Sequence, residues 1–272
     1  MVKRKIFSET EKIVRTKPAS KTIEREFASA LKKMIDEMNE RFNNQVFKKL
    51  NKGTISKFED AQVGNFAKIF LTLANRAKKK LLRQFSNSRV EGMIDNIYGR
   101  IDTYNKETFY AQVEKEIGIS AKELLATEGL KPNINALILE TQQWVKKLRD
   151  DTLEFFTNTT LRGMAEGKSL DQIKKEFGEL TDKRKSNAEM VARTQVNTFN
   201  SLNNKIRAQN LGITEGIWVT VGDERTRKSH KDRDGKKFLL SEGLYSSIDG
   251  KKLLTGTDYN CRCSTKFIIP KD

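Results

Sequence analysis

The sequence predicts an α+β fold in which a long helical N-terminal region precedes a small C-terminal α+β domain with a short antiparallel sheet. Apolar residues recur at steps of three and four over most of the first two-thirds of the 272-residue chain, which is the period of a helix. After Gly212 the period changes to two, which is typical of strands. Only three prolines occur, and their scarcity favours long helices.

The N-terminal helices follow from this spacing. One helical pattern covers 22–50 and should end near Gly53, because glycine suits a helix C-terminus. A second pattern covers 57–85, and a long one starts at Pro132 and continues to Met164. Between them, residues 90–130 predict shorter helical pieces with turns at three glycines: Gly99, Gly118 and Gly129.

The C-terminal elements begin with a capping box, in which Ser169 and Gln172 satisfy backbone amides reciprocally. A short helix over 170–177 and a second over 186–210 should follow, separated by a charged connection. This helix–turn–helix order leaves open a DNA-reading element. The predicted strands then cover 213–221, 238–240 and 261–269.

The predicted organisation is a flexible basic arm (1–20), a helical region (21–160) and a C-terminal domain (161–272). The net charge of +16 favours a polyanionic partner, since each cation placed on a phosphate releases a counterion. Nucleic acid is the expected polyanion, and the alternative is that the positive charge only keeps a lysine-rich surface soluble. The basic residues expected to contact nucleic acid are Lys183, Arg184, Lys185, Lys228, Lys231, Lys236 and Lys237.

The only histidine and both cysteines fall in one C-terminal stretch. If residues 261–269 form a strand, Cys261 and Cys263 project to one face. Two thiols and the His230 imidazole could begin a tetrahedral zinc site, with Asp223, Asp234, Asp258 or a water as fourth ligand. The preferred interpretation is that no cofactor is bound, that both cysteines pack as small apolar residues, and that His230 hydrogen-bonds a neighbouring loop.

Opposite charges interleave around His230, and the simplest interpretation is a set of salt bridges that hold a long loop on the last strand. Gly235 fits a tight turn there. The charged residues are Asp223, Arg225, Arg227, Asp232, Arg233 and Asp234.

Several classes of protein are not expected. No apolar run approaches the length of a membrane span or a signal peptide, and two cysteines do not make a secreted disulfide scaffold, so folding in a reducing cytoplasm is expected. His230 beside an aspartate could act as a general base. However, no serine nucleophile elbow, glycine-rich phosphate loop or paired-carboxylate pattern occurs, and the prediction is that the protein is not an enzyme.

The C-terminal half resembles the phage Mu F-like, or phage head-morphogenesis (minor head protein), family from about Leu161 to Phe267. In many members a Pro and a His precede the Asn-Cys-Arg-Cys element, where this chain has Asp258 and Tyr259, and Glu often stands at Gln195. The segments that carry the resemblance are 163–169, 192–194, 197–204, 218–230, 234–235 and 260–263. The structural motif comprises Trp218, Asp223, Arg225, Arg227, His230, Asp234, Gly235, Asn260, Cys261, Arg262 and Cys263.

The resemblance implies a minor head protein of a tailed bacteriophage rather than an enzyme. Such a protein binds the portal and capsid or scaffold proteins, and the helical region 21–160 is expected to make the portal or capsid contact. It would lie inside the capsid against packaged double-stranded DNA, bound without sequence preference, and act in head assembly and genome ejection. It would reside in the host cytoplasm during assembly and in the virion afterwards. Two alternatives remain open at this point: a sequence-specific DNA-binding protein and a metal-dependent nuclease.

Overall fold

The computed structural model describes residues 11–50, 60–120 and 131–271. Within it the chain forms two compact units. The first unit comprises Met1–Arg25, Asp95–Leu139 and Val191–Asp272, and the second comprises Glu26–Ile94 and Glu140–Met190. The units are not contiguous segments, as the predicted regions 21–160 and 161–272 would be. Residues 1–10 of the predicted arm, Gly53 and Gly129 lie outside the described residues.

Long helices dominate the structure, as the apolar period predicts. They are α1 (Lys21–Phe42), α2 (Asp60–Gln84), α3 (Asn87–Ile117), α4 (Lys131–Ala165), α5 (Leu170–Asn210) and the short α6 (Lys228–Arg233). A π-helical segment, Asn43–Phe47, and a helical turn, Lys48–Leu50, continue α1. No helix in the described ranges combines the length and apolar character that a membrane span requires.

Two predicted interruptions are wrong. Gly99 lies inside α3, and Gly178 lies inside α5, which runs unbroken through the expected connection between two helices. A glycine costs a helix only about 1 kcal/mol, whereas buried side chains at Phe177, Thr181 and Ala188 keep one face of α5 in the core across this region. The helix–turn–helix alternative therefore has no structural basis. Gly118, by contrast, ends α3 at φ +73°.

Aromatic rings fill the core of the second unit. Phe42 stacks on Phe177 with ring centroids 5.8 Å apart, and Phe156 lies 4.2 Å from Phe177. Phe47 and Phe70 meet Phe42 edge to face. All five rings are at most 1% exposed.

The first unit contains an antiparallel sheet in the order β1-β6-β2-β3. Its strands are β1 (Lys12–Arg15), β2 (Glu215–Val219), β3 (Lys237–Leu239) and β6 (Ser264–Ile269), and a separate hairpin pairs β4 (Leu244–Ser246) with β5 (Lys251–Leu253). The short antiparallel sheet is confirmed. Because Val14 of β1 pairs with Phe267 of β6 and is fully buried, residues 12–15 are a sheet strand and not part of a flexible arm.

One face of this sheet covers a hydrophobic core. Trp218, Phe238 and Phe267 project from three strands against Phe109 and Val113 of α3. Gly216 of β2 leaves room for a neighbouring strand, since an added Cβ would lie 2.4 Å from Thr265 Cγ2. The core thereby anchors both ends of the segment that contains the scarce histidine and cysteines.

Candidate functional site

His230 lies on α6, a single helical stretch between β2 and β3. The helix is preceded by a turn in which the Thr226 amide donates to the Asp223 carbonyl, and its first turn closes when the His230 amide donates to the Arg227 carbonyl. The imidazole is 3% exposed and meets the Trp218 ring edge to face at 5.7 Å. Burial against Trp218 fixes the direction of the ring.

The cysteines lie immediately before β6 rather than within it, because the strand starts at Ser264. The expectation that strand alternation orients them is therefore wrong. Instead, the Cys261 amide donates to the Asp258 carbonyl at 3.0 Å, and Asn260 adopts φ +55°, a left-handed conformation that asparagine tolerates better than most residues. This tight turn directs the cysteines toward α6.

The turn brings both sulfurs to one nitrogen of the histidine. His230 Nδ1 lies 3.7 Å from Cys261 Sγ and 3.4 Å from Cys263 Sγ. The other ring nitrogen, Nε2, lies 3.1 Å from Asp258 Oδ2. A backbone amide, that of Cys263, also donates to Cys261 Sγ at 3.4 Å. The three scarce side chains thus form one cluster, which we call the His–Cys cluster (His230, Cys261 and Cys263).

Electrostatics within this cluster favour one negative charge on sulfur. The Cys263 side chain donates to Cys261 and, with His230, lowers the pKa of the Cys261 thiol against the opposing effect of burial. The same contact and burial raise the pKa of the Cys263 thiol. Contact with Cys261 raises the pKa of His230, as does Asp258 more weakly, while burial lowers it.

Ion pairs hold the surrounding loops. Arg262 makes a bidentate pair with Asp223, with both N–O distances 2.7 Å, and this guanidinium lowers the pKa of Asp223 to about 2. Arg227 donates to Asp258 Oδ2 at 2.7 Å and to the Tyr259 carbonyl at 2.6 Å. Two loops distant in sequence, 223–235 and 255–263, are therefore linked, and we call them together the clasp.

Asp234 and Gly235 stabilise the turn that follows α6 and do not contact the His–Cys cluster through these hydrogen bonds. Asp234 Oδ1 accepts from the Thr220 amide at 2.8 Å, and the Gly235 amide donates to the Trp218 carbonyl. Gly235 adopts φ +74°, as the expected tight turn requires. With Asp223 on Arg262 and Asp234 on a backbone amide, neither of these carboxylates serves as the expected fourth ligand. Arg225 is 77% exposed at its side chain and lies 3.8 Å from Asp223.

Helix α5 contacts the second clasp loop, 255–263, through the segments 192–194 and 197–204, two of the segments that carry the family resemblance. Thr194 Oγ1 accepts from the Asn260 amide at 2.9 Å, and Arg193 Nη1 donates to Asn260 Oδ1 at 3.2 Å. Further along the helix, Thr198 donates to the Gly256 carbonyl at 3.1 Å and Ser201 donates to the Thr255 carbonyl. The segments 192–194 and 197–204 thus form one surface that contacts the loop 255–263.

Sequence reasoning missed the most buried charge of the clasp. Arg233, fully buried, makes a bidentate pair with Asp249 at 2.8 and 3.0 Å. Its remaining N–H groups donate to the Ser229, Leu244 and Lys251 carbonyls. Arg233 was recognised only as one of several interleaved charges, and its partner lies on the β4–β5 turn, which no local pattern indicated.

The expected DNA-binding residues differ in their contacts. In the second unit, Lys185 pairs with Asp36 at 2.5 Å and Arg184 lies 4.5 Å over the Phe155 ring, while Lys183 is exposed. In the first unit, Lys236 pairs with Asp232 and Lys237 with Glu11. Lys228 and Lys231 are exposed, and the described part of the chain shows no ion pair for either.

The His–Cys cluster has two possible chemistries. Two thiols and one imidazole are a ligand set for a soft divalent metal. A cysteine that contacts a histidine, which in turn contacts an aspartate, is also an arrangement used in nucleophilic catalysis. Cys261 is only 2% exposed, so its sulfur is not presented to a substrate from solvent. The cluster borders a pocket of about 60 Å³ with a strongly basic wall, lined in part by Arg193, Arg225, Arg227 and Arg262.

The fold and the site define a mainly helical α+β protein in which a two-loop clasp, closed by arginine–carboxylate pairs, lies between a long helix and a small sheet. Residues 154–266 match the model of the family described as Phage Mu protein F like protein. This segment, which contains α5 and the whole clasp, is similar to phage Mu F-like proteins. This match confirms the resemblance found in the sequence.

Two curated relatives extend the comparison. An uncharacterised protein of Haemophilus influenzae is 27% identical over 205 residues, which is 72% of this chain and 44% of that protein. NAD(+)–arginine ADP-ribosyltransferase EFV of Enterococcus faecalis is 30% identical over 132 residues, which is 45% of this chain and 27% of that protein. The chain thus spans less than half the length of either relative. No solved structure matches it.

Proposed function

We propose that the chain is a minor head protein of a tailed bacteriophage that binds the portal and the packaged double-stranded DNA. The match of residues 154–266 to phage Mu F-like proteins carries this proposal, because that family is one of phage head morphogenesis. During assembly the protein would be in the host cytoplasm, and afterwards inside the capsid near the portal, where it influences genome ejection. Capsid or scaffold proteins are further expected partners.

The proposed DNA contact rests on charge. A net charge of +16 attracts a polyanion over a long range, and phosphate contacts carry no sequence information. Among the expected contact residues, those whose ammonium groups pair with carboxylates contribute less, because the pair must be broken or shared. Lys228 and Lys231, exposed on α6, are the better candidates, with Lys183 on α5.

Titration of the full chain with two duplexes of unrelated sequence, at several salt concentrations, tests this contact. Similar affinity for both duplexes and a steep loss with salt support it. Lys228→Ala with Lys231→Ala should reduce the log–log salt slope by up to about 1.8, since each phosphate contact contributes about 0.9. The matched control is Lys236→Ala with Lys237→Ala, whose amines already pair with carboxylates, and it should change the slope less.

A preference of about 10³-fold or more for one duplex would instead favour the sequence-specific alternative. Equal slopes for both double variants would show that α6 is not the DNA-contacting surface.

Portal contact is proposed for the helical region, where α4 exposes a large aromatic side chain. Trp144 is 48% exposed, and tryptophan is among the residues that most often anchor protein interfaces. Portal capture should be tested with the full chain rather than with fragments divided at residue 160, because that division would cut α4. The full chain carrying Trp144→Ala should capture less portal protein than the wild type.

The matched control is Tyr245→Ala, an aromatic that is 53% exposed on β4, and it should leave capture unchanged. Equal capture by both variants and the wild type would reject the α4 surface as the portal contact.

No catalytic activity is proposed. The activity named for the Enterococcus faecalis relative belongs to a protein of which the match covers 27%. Incubation of the full chain with plasmid DNA and divalent metal tests the nuclease alternative. Plasmid cleavage by the wild type that is lost in His230→Gln would favour the nuclease alternative. Plasmid that stays intact under conditions in which the protein binds it supports the proposal of a non-catalytic protein.

A further inference from the structure

We propose that His230, Cys261 and Cys263 bind a zinc ion. Their ligand atoms lie within 4.8 Å of one another, and the Nδ1–Sγ distances are 3.4 and 3.7 Å. Tetrahedral zinc with Zn–S near 2.3 Å and Zn–N near 2.05 Å separates nitrogen from sulfur by about 3.6 Å. Both distances therefore match two edges of a zinc tetrahedron.

The orientation of the histidine also fits a ligand. Metal-binding histidines commonly donate their second ring N–H to a carboxylate, which fixes the tautomer and raises the basicity of the ligating nitrogen. His230 Nε2 faces Asp258 Oδ2 at 3.1 Å, which leaves Nδ1 as the nitrogen directed at both sulfurs. Arg227 donates to the same carboxylate oxygen and holds it in place.

One of the two sulfurs, Cys261 Sγ, is held by a backbone hydrogen bond without a metal. The Cys263 amide donates to Cys261 Sγ, a contact that favours the thiolate form that metals require. Cys261 is 2% and His230 is 3% exposed, so water competes weakly at these two positions. Thiolate and imidazole ligands select zinc over magnesium or calcium, which prefer oxygen.

Three protein ligands leave the fourth tetrahedral position to an exogenous group. Asp223 is engaged by Arg262 and Asp234 by the Thr220 amide, and Asp258 lies at the opposite nitrogen of the ring. The fourth ligand is therefore a water or an anion from the adjoining pocket, whose wall includes Arg193, Arg225 and Arg227.

Cobalt substitution of the full-length protein tests the site directly. The chain contains only two cysteines and one histidine, so a thiolate-to-cobalt charge-transfer band can arise only at these cysteines. Purified, reduced protein should bind one equivalent of zinc by elemental analysis and should develop this band with Co²⁺. Added Zn²⁺ should abolish the band. Cys261→Ser with Cys263→Ser should lose both signals.

Asp258→Asn keeps all three proposed ligands and nearly the same side-chain shape. It therefore provides a second test of metal binding if the double cysteine variant does not fold. Loss of its carboxylate should weaken metal affinity by about 10- to 100-fold. The matched control is Asp232→Asn, which removes an exposed pair with Lys236 and should leave affinity unchanged.

Folded wild-type protein that binds no zinc and gives no cobalt band would overturn the proposal, and would leave the cluster as a hydrogen-bonded packing contact. Equal affinity in the wild type and Asp258→Asn would overturn the role of the carboxylate.

Discussion

Arg233 and Asp249 form a bidentate ion pair in which the arginine side chain is 0% exposed and the aspartate 22% exposed. Three backbone carbonyls accept the other hydrogen bonds of the guanidinium. This one side chain therefore ties α6 to the β4–β5 hairpin, and α6 carries His230. The pair is the internal support of the clasp.

Replacement of Arg233 by methionine should destabilise the first unit. The change leaves the Asp249 carboxylate and three carbonyls without their donor, and removal of one member of a buried pair costs about 3–5 kcal/mol. Urea denaturation should show this loss in the free energy of unfolding. Arg225→Met is the matched control, because that side chain is 77% exposed, and its midpoint should stay that of the wild type.

The same pair predicts acid sensitivity. Arg233 lowers the pKa of Asp249 below its ordinary value, so the carboxylate stabilises the fold fully above its unfolded pKa of about 3.9 and loses this effect as pH falls through the folded pKa. Asp249→Asn should be less stable than the wild type at neutral pH. Denaturation curves at falling pH should bring the two proteins together, and a constant difference down to about pH 2 would contradict the assignment.

Close approach of the second clasp loop to α5 predicts that Gly256 tolerates no side chain. A Cβ there would lie 2.8 Å from Ser201 Cβ and 3.1 Å from the Asn197 carbonyl. Gly256→Ala should lower the unfolding free energy by about 1–2 kcal/mol for its left-handed φ and by about 1–3 kcal/mol more for overpacking.

Gly250→Ala separates the two effects, because Gly250 also has a positive φ, +62°, but open space around its Cα. It should show the conformational cost alone. Equal losses in the thermal midpoint for both variants would contradict the packing argument.

The Thr194 hydroxyl is expected to stabilise the turn before the cysteines. Thr194→Val keeps the shape but removes the acceptor of the Asn260 amide, and an unsatisfied, partly buried donor costs about 1–3 kcal/mol. Hydrogen exchange of the Asn260 amide should accelerate in the variant. Thr103→Val is the control, since that exposed hydroxyl only donates to a carbonyl of its own helix, and Asn260 exchange should not respond to it.

Local patterns predicted much of the fold. The apolar period located α1, α2 and α4, and the Ser169–Gln172 capping box occurs as expected, with both reciprocal hydrogen bonds present. The change of period after Gly212 located β2. These features depend on neighbours within a few residues, so the sequence alone contains their determinants.

The concentration of one histidine and two cysteines in a short stretch also identified the segment of interest from the sequence. Contacts between distant residues decided the rest. Burial along α3 and α5 outweighed the small helical cost of Gly99 and Gly178, and pairing with β6 turned residues 12–15 into a strand. The contact of both cysteine sulfurs with His230 depends on a turn at Asn260, whose amide donates to Thr194, 66 residues away in the sequence. Such pairings have no local sequence signature, because they join residues that come into contact only when the chain has folded.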